Sequence, residues 1–233
     1  MKKVISVLMY LLFGLTFFLP AGKILTACIG CNFHLLSDYG FAMAIAILSL
    51  CVMVLAIAFE FKADSKVLLI LLTALAPLSL INGAFYIHIN RESRIVLPIV
   101  YHVVCCFYLT IQQGKRGAPK YAALGLCAPL IIPICLSCFL TIFFNWGHVS
   151  IVKTVESPDG SYYAQVIDND QGALGGSTIV NVFKSRKLDL ILFEIQKKPQ
   201  TVSYGPWGIY TKMKIYWKND NCLVINSTEV RIE

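Results

Sequence analysis

Two patterns of hydrophobic and polar positions divide the chain. Through the first 145 residues, apolar positions run together in five blocks, at 4–19, 41–59, 67–87, 95–111 and 121–144, separated by short polar stretches. A helix needs about 20 apolar residues to cross the hydrocarbon core of a bilayer, so these blocks predict five membrane spans. The first is short. With Lys2 and Lys3 ahead of it and small residues behind, it also fits the apolar core of a cleaved signal peptide.

Near residues 145–148 the spacing shortens to alternating apolar and polar positions broken by turn residues. Strands are predicted over 149–156, 162–168, 178–183, 188–195, 201–204, 209–217 and 223–226. In the sixth, Met213, Ile215 and Trp217 alternate with Lys212, Lys214 and Lys218, as a half-buried strand requires. Ser157-Pro158-Asp159-Gly160 is a tight turn, with Pro presetting φ and Gly accepting positive φ, and it should join the first two strands as a hairpin. The predicted fold class is a membrane α-helical region of five spans (residues 1–145) followed by an all-β domain (residues 146–233), a small antiparallel sheet or sandwich.

Composition agrees with this division: 57% of the residues are hydrophobic and 14% charged, and the mean hydropathy is +0.69. The net charge of +7 changes the picture only once it is placed. Residues 1–145 carry ten basic and four acidic side chains, whereas residues 146–233 carry ten and nine. The excess belongs to membrane topology and disfavours nucleic acid as a partner. Lys2, Lys3, Lys62, Lys66, Lys115, Arg116 and Lys120 fall in the N-terminus and alternate loops, against Lys23, Arg91 and Arg94 in the others. Positive charge is retained on the cytoplasmic side, so the N-terminus is expected inside and the β domain outside the cytoplasm.

Few side chains in the spans carry chemistry. Pro77, Pro98, Pro129 and Pro133 would kink their helices and free carbonyls for neighbours. His102 is the one residue well inside the spans that readily takes a charge near neutral pH, with Asn82 as a polar partner across the bundle. A substrate path would run past these two, against a neutral imidazole that merely bonds a neighbouring helix. No mid-membrane acid completes a proton relay, which counts against an ion-coupled transporter.

Of nine cysteines, Cys51, Cys105, Cys106, Cys127, Cys135 and Cys138 fall in spans and act as small apolar residues. Cys28 and Cys31 form a C-x-x-C pair followed by His34, and the three would share one side of a helical turn. The pair admits a structural disulfide, an exchange-active one tuned by His34, a metal site lacking a fourth ligand, or lipidation of Cys28. A c-type haem is excluded because Asn32, not His, follows Cys31. No motif implies a cofactor or a resident metal.

In the β domain, the run Asp168-Asn169-Asp170-Gln171-Gly172-Ala173-Leu174-Gly175-Gly176 exceeds what a hairpin needs and leaves backbone N–H groups open. An EF-hand is excluded, since Gly172 and Ile179 stand where oxygen ligands are required, which leaves a calcium or anion site of another type as an alternative. Asp168, Asp170, Gly172, Gly175, Gly176 and the aromatic Trp207 are therefore candidates for contact with a ligand or protein partner, against a solvated loop and a core or interfacial tryptophan.

The Ser157-Pro158-Asp159-Gly160 turn, the glycine-rich run, Gly205-Pro206-Trp207-Gly208 and Ile215-Tyr216-Trp217-Lys218-Asn219-Asp220 together resemble the bacterial family called domain of unknown function 5412. The resemblance covers roughly the last third of the chain and implies a bacterial envelope protein in the inner membrane, with no reaction attached. Enzyme signatures such as G-x-S-x-G or H-E-x-x-H are absent from the sequence. Three roles follow as expectations: a non-enzymatic, bilayer-anchored β domain that binds a partner or ligand, a thiol redox protein using Cys28 and Cys31, and a transporter component.

Overall fold

The computed structural model describes residues 1–63, 65–89, 93–113, 118–144, 148–172 and 175–232. Arg91, Lys115, Arg116 and the predicted boundary at 145–147 lie outside these residues. The chain forms two compact units, one of Met1–Leu25 with Leu35–Cys138 and one of Thr26–His34 with Phe139–Glu233.

Each apolar block forms a helix: α1 (Lys2–Cys28), α2 (Asp38–Ala58), α3 (Lys66–Ile89), α4 (Ser93–Gln113) and α5 (Ala118–Phe144). The first four are long and apolar enough to cross a membrane, while the apolar stretch found in α5, Tyr121–Leu136, is shorter. The helix α1 runs through Pro20 and Lys23 rather than stopping at residue 19. The ends of α2 carry local signals. Ser37 caps its start, accepting from Gly40 N at 3.0 Å. At its end Glu60 N donates to Ile57 O and Phe61 N to Ala56 O, a left-handed stop with Glu60 at φ +44°.

Ile5, Met9 and Leu12 of α1, Val52 and Ala56 of α2, Leu68, Leu72 and Leu75 of α3, and Cys106 and Leu109 of α4 share one buried cluster with Phe61. Thr110 of α4 donates to Leu72 O of α3 at 2.8 Å. Gly83 lets these two helices approach, since a Cβ there would stand 3.2 Å from Ile99. Ile47, Leu50 and Val54 on the outside of α2 are as apolar as Ile45 and Val52 inside. A helix apolar all round suits lipid rather than water.

Among the described residues the second unit holds ten strands: β1 (Cys31–Leu35), β2 (His148–Glu156), β3 (Tyr162–Asp170), β4 (Gly176–Lys184), β5 (Lys187–Asp189), β6 (Phe193–Lys197), β7 (Gln200–Pro206), β8 (Ile215–Asn219), β9 (Cys222–Ile225) and β10 (Thr228–Arg231). They make sheets of order β2-β3-β4-β7, β10-β9-β8 and β1-β6-β5. The first two face one another across Ala164, Val166, Val180, Val182, Ile215, Leu223 and Ile225, and Trp217 Nε1 donates to Val155 O at 3.0 Å between them. In the third, Phe33 of β1 stacks on Phe193 of β6 at 4.9 Å. Gln196 of β6 donates to Lys184 O (3.0 Å) and Tyr163 Oη (2.9 Å), tying that sheet to β3 and β4.

The predicted hairpin at Ser157–Gly160 is present. Ser157 N donates to Tyr162 O, Gly160 N to Ser157 O, and Gly160 sits at φ +70°. Four expectations need correction. The strand predicted over 188–195 is the β5–β6 hairpin, turned by Leu190 N donating to Phe193 O. The predicted 209–217 strand begins as a 3-10 turn, Ile209–Lys212, after Gly208 at φ +77°, so the lysine alternation belongs to a strand only from Ile215. Two strands come from segments read as loop or tail: β10 closes a two-residue turn with Asn226 at φ 51° and Ser227 at φ 87°, and β1 comes from the C-x-x-C segment.

Candidate functional site

Strand alternation builds the candidate site. In β3, Ala164, Val166 and Asp168 point to one face, and in β4 Thr178, Val180 and Val182 answer them, with Asp168 directly opposite Thr178. The apolar rows at 164/182 and 166/180 are core. The next row along is a carboxylate and a hydroxyl, 9% and 1% exposed. Asp168 Oδ1 and Thr178 Oγ1 are both buried and have no hydrogen-bond partner among the described residues. Ser150 of β2 and Gly205 of β7 flank them on the same row.

One row further, about 7 Å on, Asp170 pairs with Gly176. Trp207 lies over Gly176, where a Cβ would stand 2.6 Å from its Cδ1 and 2.7 Å from Asn169 O. The indole is 56% exposed, so it covers the end of the sheet and still meets solvent. The glycine-rich loop is shorter than predicted. Asp168, Asn169 and Asp170 continue β3 and Gly176 opens β4, leaving residues 171–175 as the connection. Within it Gln171 N donates to Gly175 O, and Gly172 N to the Asp170 carboxylate at 2.8 Å. Asp170 therefore orders the turn, and Asp168 alone of the two acids offers a buried acceptor. Ala173 and Leu174 lie outside the described residues.

Asp168 thus lies one row from the Asp170–Gly176 pair, and Trp207 lies over Gly176. Thr178 was missed. Its signal was available, since a polar residue stands where the Val180 and Val182 alternation demands an apolar one. At the other end of the sheet, side-chain hydrogen bonds from Ser161 and Ser157, with a further bond from Ser161 N at 3.0 Å, hold the Asp159 carboxyl down to about 2. On the outer hairpin, Glu229 lies 2.5 Å from Lys218, which holds its carboxyl below the ordinary carboxylate range.

The C-x-x-C segment is not a helical turn. Cys28 ends α1, Gly30 takes φ +70°, and Cys31 opens β1. Along β1, Cys31 shares its side with Phe33 and Leu35 while His34 takes the other, so the strand separates imidazole from thiol. Cys28 and Cys31 are not bridged to one another, and no group of three or more metal-ligating side chains occurs among the described residues.

In the helical unit His102 is fully buried. Its neighbours are Thr16 Oγ1 of α1, 3.5 Å from Nε2, and Cys106 Sγ, 3.6 Å from Nδ1. Asn82 is not its hydrogen-bond partner: both amide atoms of Asn82, and the Tyr86 hydroxyl one turn on, are buried without a partner among the described residues.

No family model, curated protein or solved structure matches the chain.

Proposed function

We propose that the chain is an integral membrane protein of the bacterial inner membrane whose helices anchor a β domain outside the cytoplasm. In this account α5 completes a fifth span, and the β domain belongs with the family called domain of unknown function 5412. The domain has a binding role, not a catalytic one. Its site is the end of the β3–β4 pair, where Asp168 lies opposite Thr178 and Trp207 covers Gly176 one row on. A single observation carries this role: a carboxylate oxygen and a hydroxyl lie buried side by side, unpaired, at the end of an otherwise apolar core.

Burying polar groups without partners costs free energy, so a fold has no reason of its own to keep them there. Kept for a ligand, they define its chemistry. A carboxylate beside a hydroxyl selects a hydrogen-bond donor, an ammonium group foremost, and a neighbouring indole face adds attraction for a cation. An anionic ligand is disfavoured by the same carboxylate.

The test uses the full chain in lipid nanodiscs with lysine amide and glucosamine as amine-bearing probes and their N-acetylated forms as controls, read by saturation-transfer NMR. Transfer to an amine probe that is absent from its acetylated form, and lost in Asp168→Asn and Trp207→Ala, is the expected result. Equal transfer in wild type and Asp168→Asn would remove the site from this end of the sheet.

A further inference from the structure

The β5–β6 hairpin presents apolar side chains where a soluble surface would hide them. Ile191 at its tip is 93% exposed, and Leu188, Leu190 and Leu192 are all exposed beside it. No glycine, proline or asparagine stands in the turn, which closes through Leu190 N to Phe193 O. A turn needs polar or flexible residues for its geometry and its solvation. Three consecutive large aliphatics there are explained by an apolar surrounding instead.

The base of the hairpin has the opposite character. Lys184, Lys197 and Lys198 line one depression of about 100 Å³ with Tyr162 and Gln200, and Arg186 is exposed next to them. Lys187, by contrast, is bound to Glu194 at 2.6 Å and Asp189 at 3.4 Å. Four cations without an acidic partner among the described residues thus stand behind an apolar tip. That order, aliphatic first and basic behind, is the order of a bilayer interface with acyl chains below anionic headgroups.

The chain path supplies the partner. The strand bonded to β6 is β1, and β1 is nearly the whole connection between α1 and α2. Ile29 and Gly30 precede it and Leu36 and Ser37 follow it. Lys198 N donates to Gly30 O at 3.1 Å, and Phe193, next to the tip, stacks on Phe33. The hairpin thus pairs with a short link that joins two helices long and apolar enough to cross a membrane.

We propose that the β5–β6 hairpin is a membrane anchor, with Leu190, Ile191 and Leu192 entering the bilayer interface and Lys184, Arg186, Lys197 and Lys198 meeting anionic headgroups. It rests on the membrane-spanning role of α1 and α2 and is independent of the ligand site. A diazirine-bearing residue is placed at Ile191 in the full chain, in nanodiscs of phosphatidylcholine and phosphatidylglycerol carrying clickable acyl chains. The same residue at Val54 of α2 is the span control, and at Tyr216 of β8 the solvent control. The expected result is a lipid adduct at position 191 approaching that at 54, little at 216, and phosphatidylglycerol over-represented at 191 until Lys197→Gln and Lys198→Gln are introduced. An adduct at 54 without one at 191, or an adduct at 191 with a second polypeptide, overturns the anchor and leaves the spans standing. No lipid adduct at 54 overturns both.

Discussion

Adding one methyl group at Gly176 tests how the candidate site is built. In Gly176→Ala the new Cβ stands 2.6 Å from Trp207 Cδ1 and 2.7 Å from Asn169 O. Carbon contacts become favourable near 3.5 Å, so the indole must move by about 1 Å. Half exposed, it can do so. The Asn169 carbonyl cannot follow cheaply, because it belongs to the β3 ladder in which Asn169 pairs with Ser177. Overpacking of this kind costs about 1–3 kcal/mol. At about 1.4 kcal/mol per factor of ten, amide protection across the β3–β4 pair falls by about 5- to 150-fold. Hydrogen exchange of the full chain in nanodiscs, followed in peptides covering Tyr162–Lys184, reads this directly. In the Trp207→Ala background the same methyl should cost less, by about 0.5 kcal/mol or more, because one of its two obstacles is gone. Unchanged exchange in Gly176→Ala, or an equal loss in both backgrounds, would refute the packing of Trp207 on Gly176.

Three further outcomes follow from the two units taken separately. Leu223→Ala, at a fully buried position between the two facing sheets, should destabilise the β unit by about 2–5 kcal/mol in urea titrations followed by tryptophan fluorescence; a loss under about 1 kcal/mol would contradict the shared core. Asp159 is held down to about 2 from an ordinary 3.8, so its stabilisation is complete above the higher value and lost as pH falls through the lower one. The gap in stability between wild type and Asp159→Asn should therefore hold steady near neutrality and close as the medium is acidified toward the lower value, whereas a gap that widened on acidification would reverse the sign. Asn82→Leu removes two buried amide atoms with no partner among the described residues and should raise the thermal stability of the helical unit by about 1 kcal/mol or more; a clear loss would show that the amide is engaged in the membrane.

The helices were legible because hydropathy acts locally: each apolar block reports its own environment. Their ends were less so, and α1 outruns its block because a helix already formed carries Pro20 and Lys23 along. Strands with local partners were also legible, and the Ser157 to Gly160 turn fixed β2 and β3 together. The strand β1 was not, since its partner β6 lies far along the chain and nothing in Cys31 to Leu35 announces it. The hairpin at β5–β6 hid because its turn is aliphatic, and β10 because Asn226-Ser227 is an uncommon two-residue turn. Half of the candidate site could be read. Acidic and glycine residues flagged the loop, but only the register separates Asp168, which faces the core beside Thr178, from Asp170, which ties down its own turn.

The central claim is that Thr178 and Asp168 are kept at the end of the core for a ligand and not for the fold. The most direct measurement is the unfolding free energy of Thr178→Val in the full chain without added ligand. Valine has the shape of threonine with a methyl in place of a hydroxyl that is buried without a partner among the described residues, so the account predicts a gain of about 1–3 kcal/mol. A loss of stability would mean that the hydroxyl holds the fold, and would contradict the assignment of this end of the sheet as a binding site.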